Sequence, residues 1–291
     1  MFRLSAISDE ISQDLDVAIE LAKKYRLDAL EIRSVADKGP FEFTLEDVER
    51  IKDKLSAAGL QVSAISAPFF KCGLDDEEEV RRHIEGLERC IRFARVLDTK
   101  LIRGFTFWRK DMLAQRLPDI VRRFEEPDRL LREAGMVLAL ESDPSVYAAN
   151  AGELRQVLEA VNSPRIQALW DPGNNLYSPR PEVPYPHGYQ LIRPYLAHVH
   201  LKDAVQNEQG EAVGCCFGEG LVDYPGQLQA LIDDGYEGYV VMETHYRKAS
   251  VLSKEALERP GGSDFSAEGY EPTEECLISL QRMISTLRMR S

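Results

Sequence analysis

Eight short, β-branched runs recur along this chain at nearly regular intervals, and a longer stretch of helical period follows most of them. The runs are LSAIS (4–8), ALEIR (29–33), QVSAISA (61–67), KLIRGF (100–105), MVLALE (136–141), IQALWD (166–171), LAHVHL (196–201) and YVVMET (239–244). Marker residues at or one before their ends, Ser8, Arg33, Ala67, Phe105, Glu141, Asp171, His200 and Glu243, are 25, 34, 38, 36, 30, 29 and 43 positions apart. Each run is brief, and most are followed directly by Ser, Pro or Asp, which marks strands. Helical spacing appears at 15–25, 45–59, 77–98, 113–135, 151–162 and 225–235. In the first of these, Val17 and Leu21, and Ala18 and Ala22, fall four apart on one face. Strands alternating with helices favour a parallel sheet, and eight units in about 250 residues favour its closure as an α/β (β/α)8 TIM barrel. An open doubly wound sheet is the rival. It would carry a glycine-rich phosphate turn, and neither GxGxxG nor GxxxxGK[ST] occurs. With no Pro/Gly/Ser linker, a single domain over residues 1–291 is expected, with a late loop insertion at about 246–272 and a C-terminal helix at 273–289.

Strands buried in a barrel should be apolar, yet the last four carry Glu141, Asp171, His200 and Glu243 at or one residue before their ends. In a (β/α)8 barrel the C-terminal strand ends ring the mouth where active sites form. Strands 5 to 8 are neighbours on that ring, so their ends can converge. Carboxylates with one imidazole suit Mn²⁺, Mg²⁺, Co²⁺ or Zn²⁺ in a site with positions open to substrate. Taken singly, each residue is equally well a loop cap or a strand-end salt bridge. Four in succession are less easily dismissed. His198 and His200 alternate onto one strand face, so His200 is the better ligand and His198 a packed or hydrogen-bonded neighbour one layer down. Lys202 shares that face.

With these residues in view, the chain resembles the sugar-phosphate isomerase/epimerase family with a xylose-isomerase-like TIM barrel. That family includes ketose 3-epimerases, hydroxypyruvate isomerase and inosose dehydratase. The resemblance spans roughly residues 4–285. It is carried by SDEI (8–11), LALES (138–142), LWDPGN (169–174), HVHLKD (198–203), the GEG of FGEGLVDY (217–224) and VMETH (241–245). It implies one divalent metal ion held by Glu141, Asp171, His200 and Glu243, with the two glutamates exchanging protons on opposite faces of the substrate. It also implies a homodimer. Two departures weaken ketose 3-epimerase activity in particular. Asn174 stands where the family often has a substrate-contacting histidine, and an amide cannot carry a proton at neutral pH. Tyr147 replaces a glutamate that often follows strand 5. The related endonuclease IV enzymes need a histidine-rich trinuclear zinc site, which five histidines with one clear strand-end ligand cannot supply.

Other residues expected at the mouth are Glu31 and Arg33, read as substrate contacts or a mutual salt bridge, and Arg103 and His245. The aromatics Phe69, Phe70, Phe105, Phe107 and Trp108 form either a sugar-facing wall or packing. Glu219 is a loop anchor or pocket residue, the proline-rich loop 178–189 with His187 a lid, and the acidic run 75–79 a solvated helix N-terminus. Composition narrows the partners. Lys and Arg total 36 against 49 Asp and Glu, a formal charge of −13, which disfavours nucleic acid and phosphorylated substrates. No apolar run approaches a membrane span, and the acidic N-terminus does not read as a secretory signal. Five cysteines without a CxxC pair suit a reduced cytoplasmic setting. The expected activity is isomerisation or epimerisation of a small sugar, keto-sugar or polyol through a metal-stabilised enediolate. The alternatives are a lyase or dehydratase acting on a keto-sugar or keto-inositol from the same site, and a non-catalytic barrel serving as subunit or sensor.

Overall fold

The computed structural model describes residues 2–180 and 182–288. Its barrel strands are β1 (Arg3–Ile7), β2 (Ala29–Ile32), β3 (Gln61–Phe69), β4 (Leu101–Gly104), β5 (Val137–Glu141), β6 (Ile166–Trp170), β7 (Leu196–Leu201) and β10 (Tyr239–Met242). All pair in parallel, and β1 bonds both β2 and β10, which closes the ring. This is a closed (β/α)8 barrel of the expected type. Every expected strand lies within two residues of its place.

The helices start where the sequence supplies caps. Asp14, Thr44, Asp76, Asn150 and Asp223 each accept a backbone N–H from the first turn of the helix that follows. Within the acidic run Asp76 caps helix Glu77–Val96, whose first turn holds Glu77, Glu78 and Glu79. The stretch read as one helix over 113–135 divides into Leu113–Arg123 and Glu125–Ala134. Pro127 has no N–H to give the Arg123 carbonyl, so the ladder breaks at Phe124.

The longest interval, between His200 and Glu243, holds an antiparallel hairpin that the strand spacing does not reveal. Its strands are β8 (Asp203–Gln206) and β9 (Ala212–Cys215). The late segment is not bare loop either. It carries short helices Lys254–Glu258 and Gly262–Ser266 before the final helix Tyr270–Arg288, and Met289 lies outside the described residues. Ser263 bonds Asp37, Ser266 Oγ bonds the Asp9 carbonyl, and Gly262 N bonds Ser34. These contacts draw the segment over the mouth on the β1–β3 side.

Two glycines in the expected motifs make the mouth possible. A Cβ on Gly173 would sit 2.2 Å from the Lys202 carbonyl oxygen, so only glycine lets the loop after β6 rest on the end of β7. A Cβ on Gly220 would sit 2.1 Å from Asp203 Oδ1. Asp203 instead accepts the N–H groups of Ala204, Gly218, Gly220 and Val222, and so folds the GEG loop around itself.

Candidate active site

Sequence positions far apart meet at the C-terminal mouth. One ligand atom from each of Glu141, Asp171, His200 and Glu243 lies within 4.8 Å of the others, and all four residues are buried. Glu141 ends β5, His200 lies one residue inside the end of β7, and Asp171 and Glu243 follow β6 and β10 directly.

The imidazole is held from below. Its Nε2 lies 3.1 Å from Glu31 Oε1, while His198 Nε2 lies 2.7 Å from Glu31 Oε2. Glu31 was expected as a substrate contact or a partner of Arg33, and it is neither. It is fully enclosed between two histidines and does not line the mouth cavity. Burial alone would raise its carboxyl, but the two imidazoles hold it well below the usual range. His200 Nδ1 faces the other way, 3.4 Å from Glu243 Oε2 and 3.9 Å from Glu141 Oε1, buried and without a hydrogen-bond partner.

Glu243 is gripped on both oxygens. Arg33 donates to Oε1 at 2.9 Å and Lys202 to Oε2 at 2.9 Å. Lys202 Nζ also lies 2.8 Å from Asp171 Oδ2. Arg103 reaches Glu141 Oε2 at 3.2 Å, and Asn174 donates to Glu141 Oε1 at 2.9 Å. His245 Nε2 lies 3.4 Å from Glu243 and 3.3 Å from Glu10 without a hydrogen bond to either. Arg33 also binds Asp9 at 2.9 Å and Glu10 at 2.8 Å, so its partners are these acids and not Glu31.

Asp9 and Glu10 belong to SDEI, a motif carrying no role in the sequence reading. They follow β1 as the other acids follow their strands, and the strand-end rule applied to β1 would have found them. Lys71 and Asp143 were also missed. They pair at 2.8 Å on the cavity wall. Loop positions with a single charge give no periodic signal.

Of the expected aromatics, only Phe105 lines the mouth cavity. Phe69, Phe70 and Phe107 stack in series at 3.9 and 4.1 Å, fully buried, as packing behind it. The 178–189 loop contributes Pro179 to the wall. His187 lies beside Glu182 with its side chain largely exposed, and Glu219 is not on the wall.

The charges do not balance. Six enclosed carboxylates (Asp9, Glu10, Glu31, Glu141, Asp171, Glu243) meet four permanent cations (Arg33, Arg103, Lys202, Arg247). The deficit is two charges. Unpaired buried charge is costly, so protons or cations must answer it. Protons do so in part. Burial would lower His200, but Glu31 and Glu243 push it up to about 10. Burial, with the nearby Glu243 and Glu141, lifts Asp171 to about 6 against the pull of Lys202. A single dication that displaced the His200 proton would close the deficit, and Nδ1 of His200 stands beside the carboxylates without a hydrogen-bond partner. The donor set, three carboxylates and one nitrogen, therefore fits a hard or borderline divalent ion.

The cavity above these groups measures about 380 Å³, in the range of small-molecule pockets. No helix among the described residues is long and apolar enough to cross a membrane. Solved structures of the same fold include an L-ribulose 3-epimerase, 15% identical with a TM-score of 0.75, covering 100% of this chain and 97% of that one. Another is a probable 3-DHS dehydratase of petrobactin synthesis from Bacillus anthracis, 17% identical with a TM-score of 0.73, covering 96% of this chain and 99% of that one. By sequence, an inosose dehydratase from Klebsiella pneumoniae is 28% identical over 129 residues, which span 40% of this chain and 43% of the relative's length. The description Xylose isomerase-like TIM barrel matches residues 19–267, and the chain belongs to that family.

Proposed function

We propose that this protein is a divalent-metal-dependent enzyme that moves a proton beside the carbonyl of a small keto-sugar or polyol, as an isomerase or epimerase. The observation that carries this reading is the meeting of Glu141, Asp171, His200 and Glu243 within 4.8 Å, in a buried set whose six carboxylates outnumber its four permanent cations. Glu141, Asp171, His200 Nδ1 and Glu243 would hold the ion. When bound, it supplies electrostatic stabilisation of the oxyanion that forms when the carbon acid is deprotonated.

The chain's own residues do the rest. Glu243, fixed by Arg33 and Lys202, is the group that takes the proton. Its carboxyl is held well below the usual range because Lys202, His245 and His200 outweigh its burial. That makes it a weak base, so stabilisation of the developing anion has to supply the driving force. Glu141 approaches from β5, across the site from β10, and passes a proton taken from solvent to the other face. Asn174, Arg103 and His245 serve as contacts for substrate hydroxyls, and none of them needs to change protonation. Phe105 covers the apolar face of the ring.

A dehydratase or other lyase is the second reading, and Lys202 favours it. Its ammonium lies within 2.9 Å of both Asp171 and Glu243. It lines the mouth cavity and is placed to hydrogen-bond a departing hydroxyl, an interaction that simple epimerisation does not require. Names of two relatives, inosose dehydratase and 3-DHS dehydratase, support the same outcome.

The test is to incubate the protein with ketoses and keto-inositols in D₂O with added Mn²⁺. Wild type should introduce deuterium at the carbon beside the carbonyl, and Glu243→Gln should reduce that rate about 10³-fold. Loss of water from the same substrates selects the lyase reading. Absence of exchange and of elimination across the panel counts against both.

A further inference from the structure

Three of the five cysteines gather where the β8–β9 hairpin meets the final helix. Cys215 ends β9, Cys216 follows it, and Cys276 lies 60 positions on, in helix Tyr270–Arg288. Cys276 donates to Cys216 Sγ across 3.9 Å, and the two residues are 1% and 7% exposed.

Both sulfurs stand on fixed supports. On the hairpin side, Asp203 gathers the N–H groups of Gly218 and Gly220, and the Phe217 ring packs on Tyr224 at 4.3 Å. On the helix side, Thr273 Oγ1 donates to the Glu10 carbonyl at 3.1 Å and lies 2.8 Å from Thr244 Oγ1. Phe217 N reaches across to Cys276 Sγ at 3.4 Å, so the two supports are already joined. A disulfide needs its sulfurs about 2.0 Å apart, which asks each to move about 1 Å.

The five thiols differ in chemistry. The hydrogen bond from Cys276 pushes the Cys216 thiol down to about 7 against its burial, and Ser279 Oγ lies 3.8 Å from the same sulfur. Cys276 is raised well above the ordinary range by that same bond and by burial. Burial pushes Cys72, Cys90 and Cys215 up to about 12. At neutral pH the thiolate, which is the nucleophile, therefore forms at Cys216.

We infer that Cys216 and Cys276 are an oxidative modification site, a dithiol that a hydroperoxide closes into an intramolecular disulfide. The Cys216 thiolate attacks one peroxide oxygen. The O–O bond breaks, and the hydroxide that leaves takes up a proton to become water, with Cys216 now a sulfenic acid. The Cys276 sulfur then attacks Cys216 Sγ, the S–O bond breaks, and the departing hydroxide takes the Cys276 proton. Two thiols are oxidised by two electrons, and one peroxide is reduced to two waters. The new bond ties the GEG loop to the final helix and removes freedom from the unfolded chain over 60 positions. Neither sulfur lines the mouth cavity, so the inference stands apart from the proposed function.

The test treats reduced, full-length protein with a small excess of hydrogen peroxide at pH 7.5 and reads the intact mass. Wild type and Cys215→Ser should lose 2 Da, recovered on adding dithiothreitol, and digestion of oxidised Cys215→Ser should yield linked peptides containing Cys216 and Cys276. The Cys215→Ser/Cys276→Ser variant should keep its mass, and dimedone should label its Cys216. The melting temperature of wild type should rise by about 5 °C on oxidation and return with dithiothreitol. Failure of Cys215→Ser to lose 2 Da overturns the proposal, as does a 2 Da loss that persists without Cys276. A bridged protein that melts no higher than the reduced one overturns the stabilising role.

Discussion

The two nitrogens of His200 belong to two different layers of the barrel. Below, Nε2 meets Glu31, which also meets His198, and Ser5 bonds Ser63 at 2.9 Å. Above, Nδ1 has no hydrogen-bond partner, the carboxylates outnumber the cations, and Lys202 bridges two acids in part compensation. The lower layer fixes one ring orientation. The upper layer is held ready by that rigidity and left electrostatically incomplete. Stability and chemistry are thus assigned to adjacent layers, and substitutions should separate them.

The largest effect is expected above. Asp171→Asn should lower turnover at least 10³-fold, about 4 kcal/mol of transition-state stabilisation. The chelated protein should keep its midpoint in urea to within about 1 kcal/mol, because one excess charge is removed together with one ion pair. Urea titration and steady-state kinetics on the same preparations check both halves. If stability collapses with activity, the layers are not separate.

Glu31→Ala should do the reverse in kind. It leaves two enclosed imidazoles without their shared acceptor and should cost about 3 kcal/mol of stability in urea. Dication affinity should fall 10- to 100-fold, since the ring loses the group that orients it. An unchanged midpoint would show that the lower layer is not a support.

The smallest effect concerns an imidazole with no carboxylate hydrogen-bonded to it. His83 accepts Phe70 N at 2.9 Å, and burial lowers it to about 4, with Glu79 opposing only weakly. Its folded pKa lies below the unfolded value of about 6.5, so its contribution is full above pH 6.5 and is lost as pH falls toward 4. Half-burial reduces the effect to about 1–2 kcal/mol. His83→Gln keeps an acceptor for Phe70 N and should flatten the fall in melting temperature over that window relative to wild type. Parallel curves would remove His83 from the acid response.

The sequence showed the barrel because its signal is periodic. Eight apolar runs at a steady interval survive any uncertainty about one of them. It showed Glu141, Asp171, His200 and Glu243 because each breaks an apolar pattern at the one end of a strand where polarity needs a reason. It misassigned Glu31, since alternation says which way a side chain points but not how deep it lies. The Glu31–His198–His200 contact joins positions 167 and 169 apart, and only barrel closure brings them together. The β8–β9 hairpin and the roofing segment were hidden for another reason. They lie outside the strand–helix repeat that makes equally short barrel strands legible, and none of them is an apolar run.

The most direct test of the incomplete upper layer is metal stoichiometry. Protein stripped with chelator, dialysed against Mn²⁺ and Zn²⁺ in turn and assayed by elemental analysis should retain one ion per chain. Asp171→Asn and His200→Ala should retain well under half of that under the same dialysis. Wild-type protein that holds no divalent ion at neutral pH, or variants that hold as much as wild type, would contradict the account.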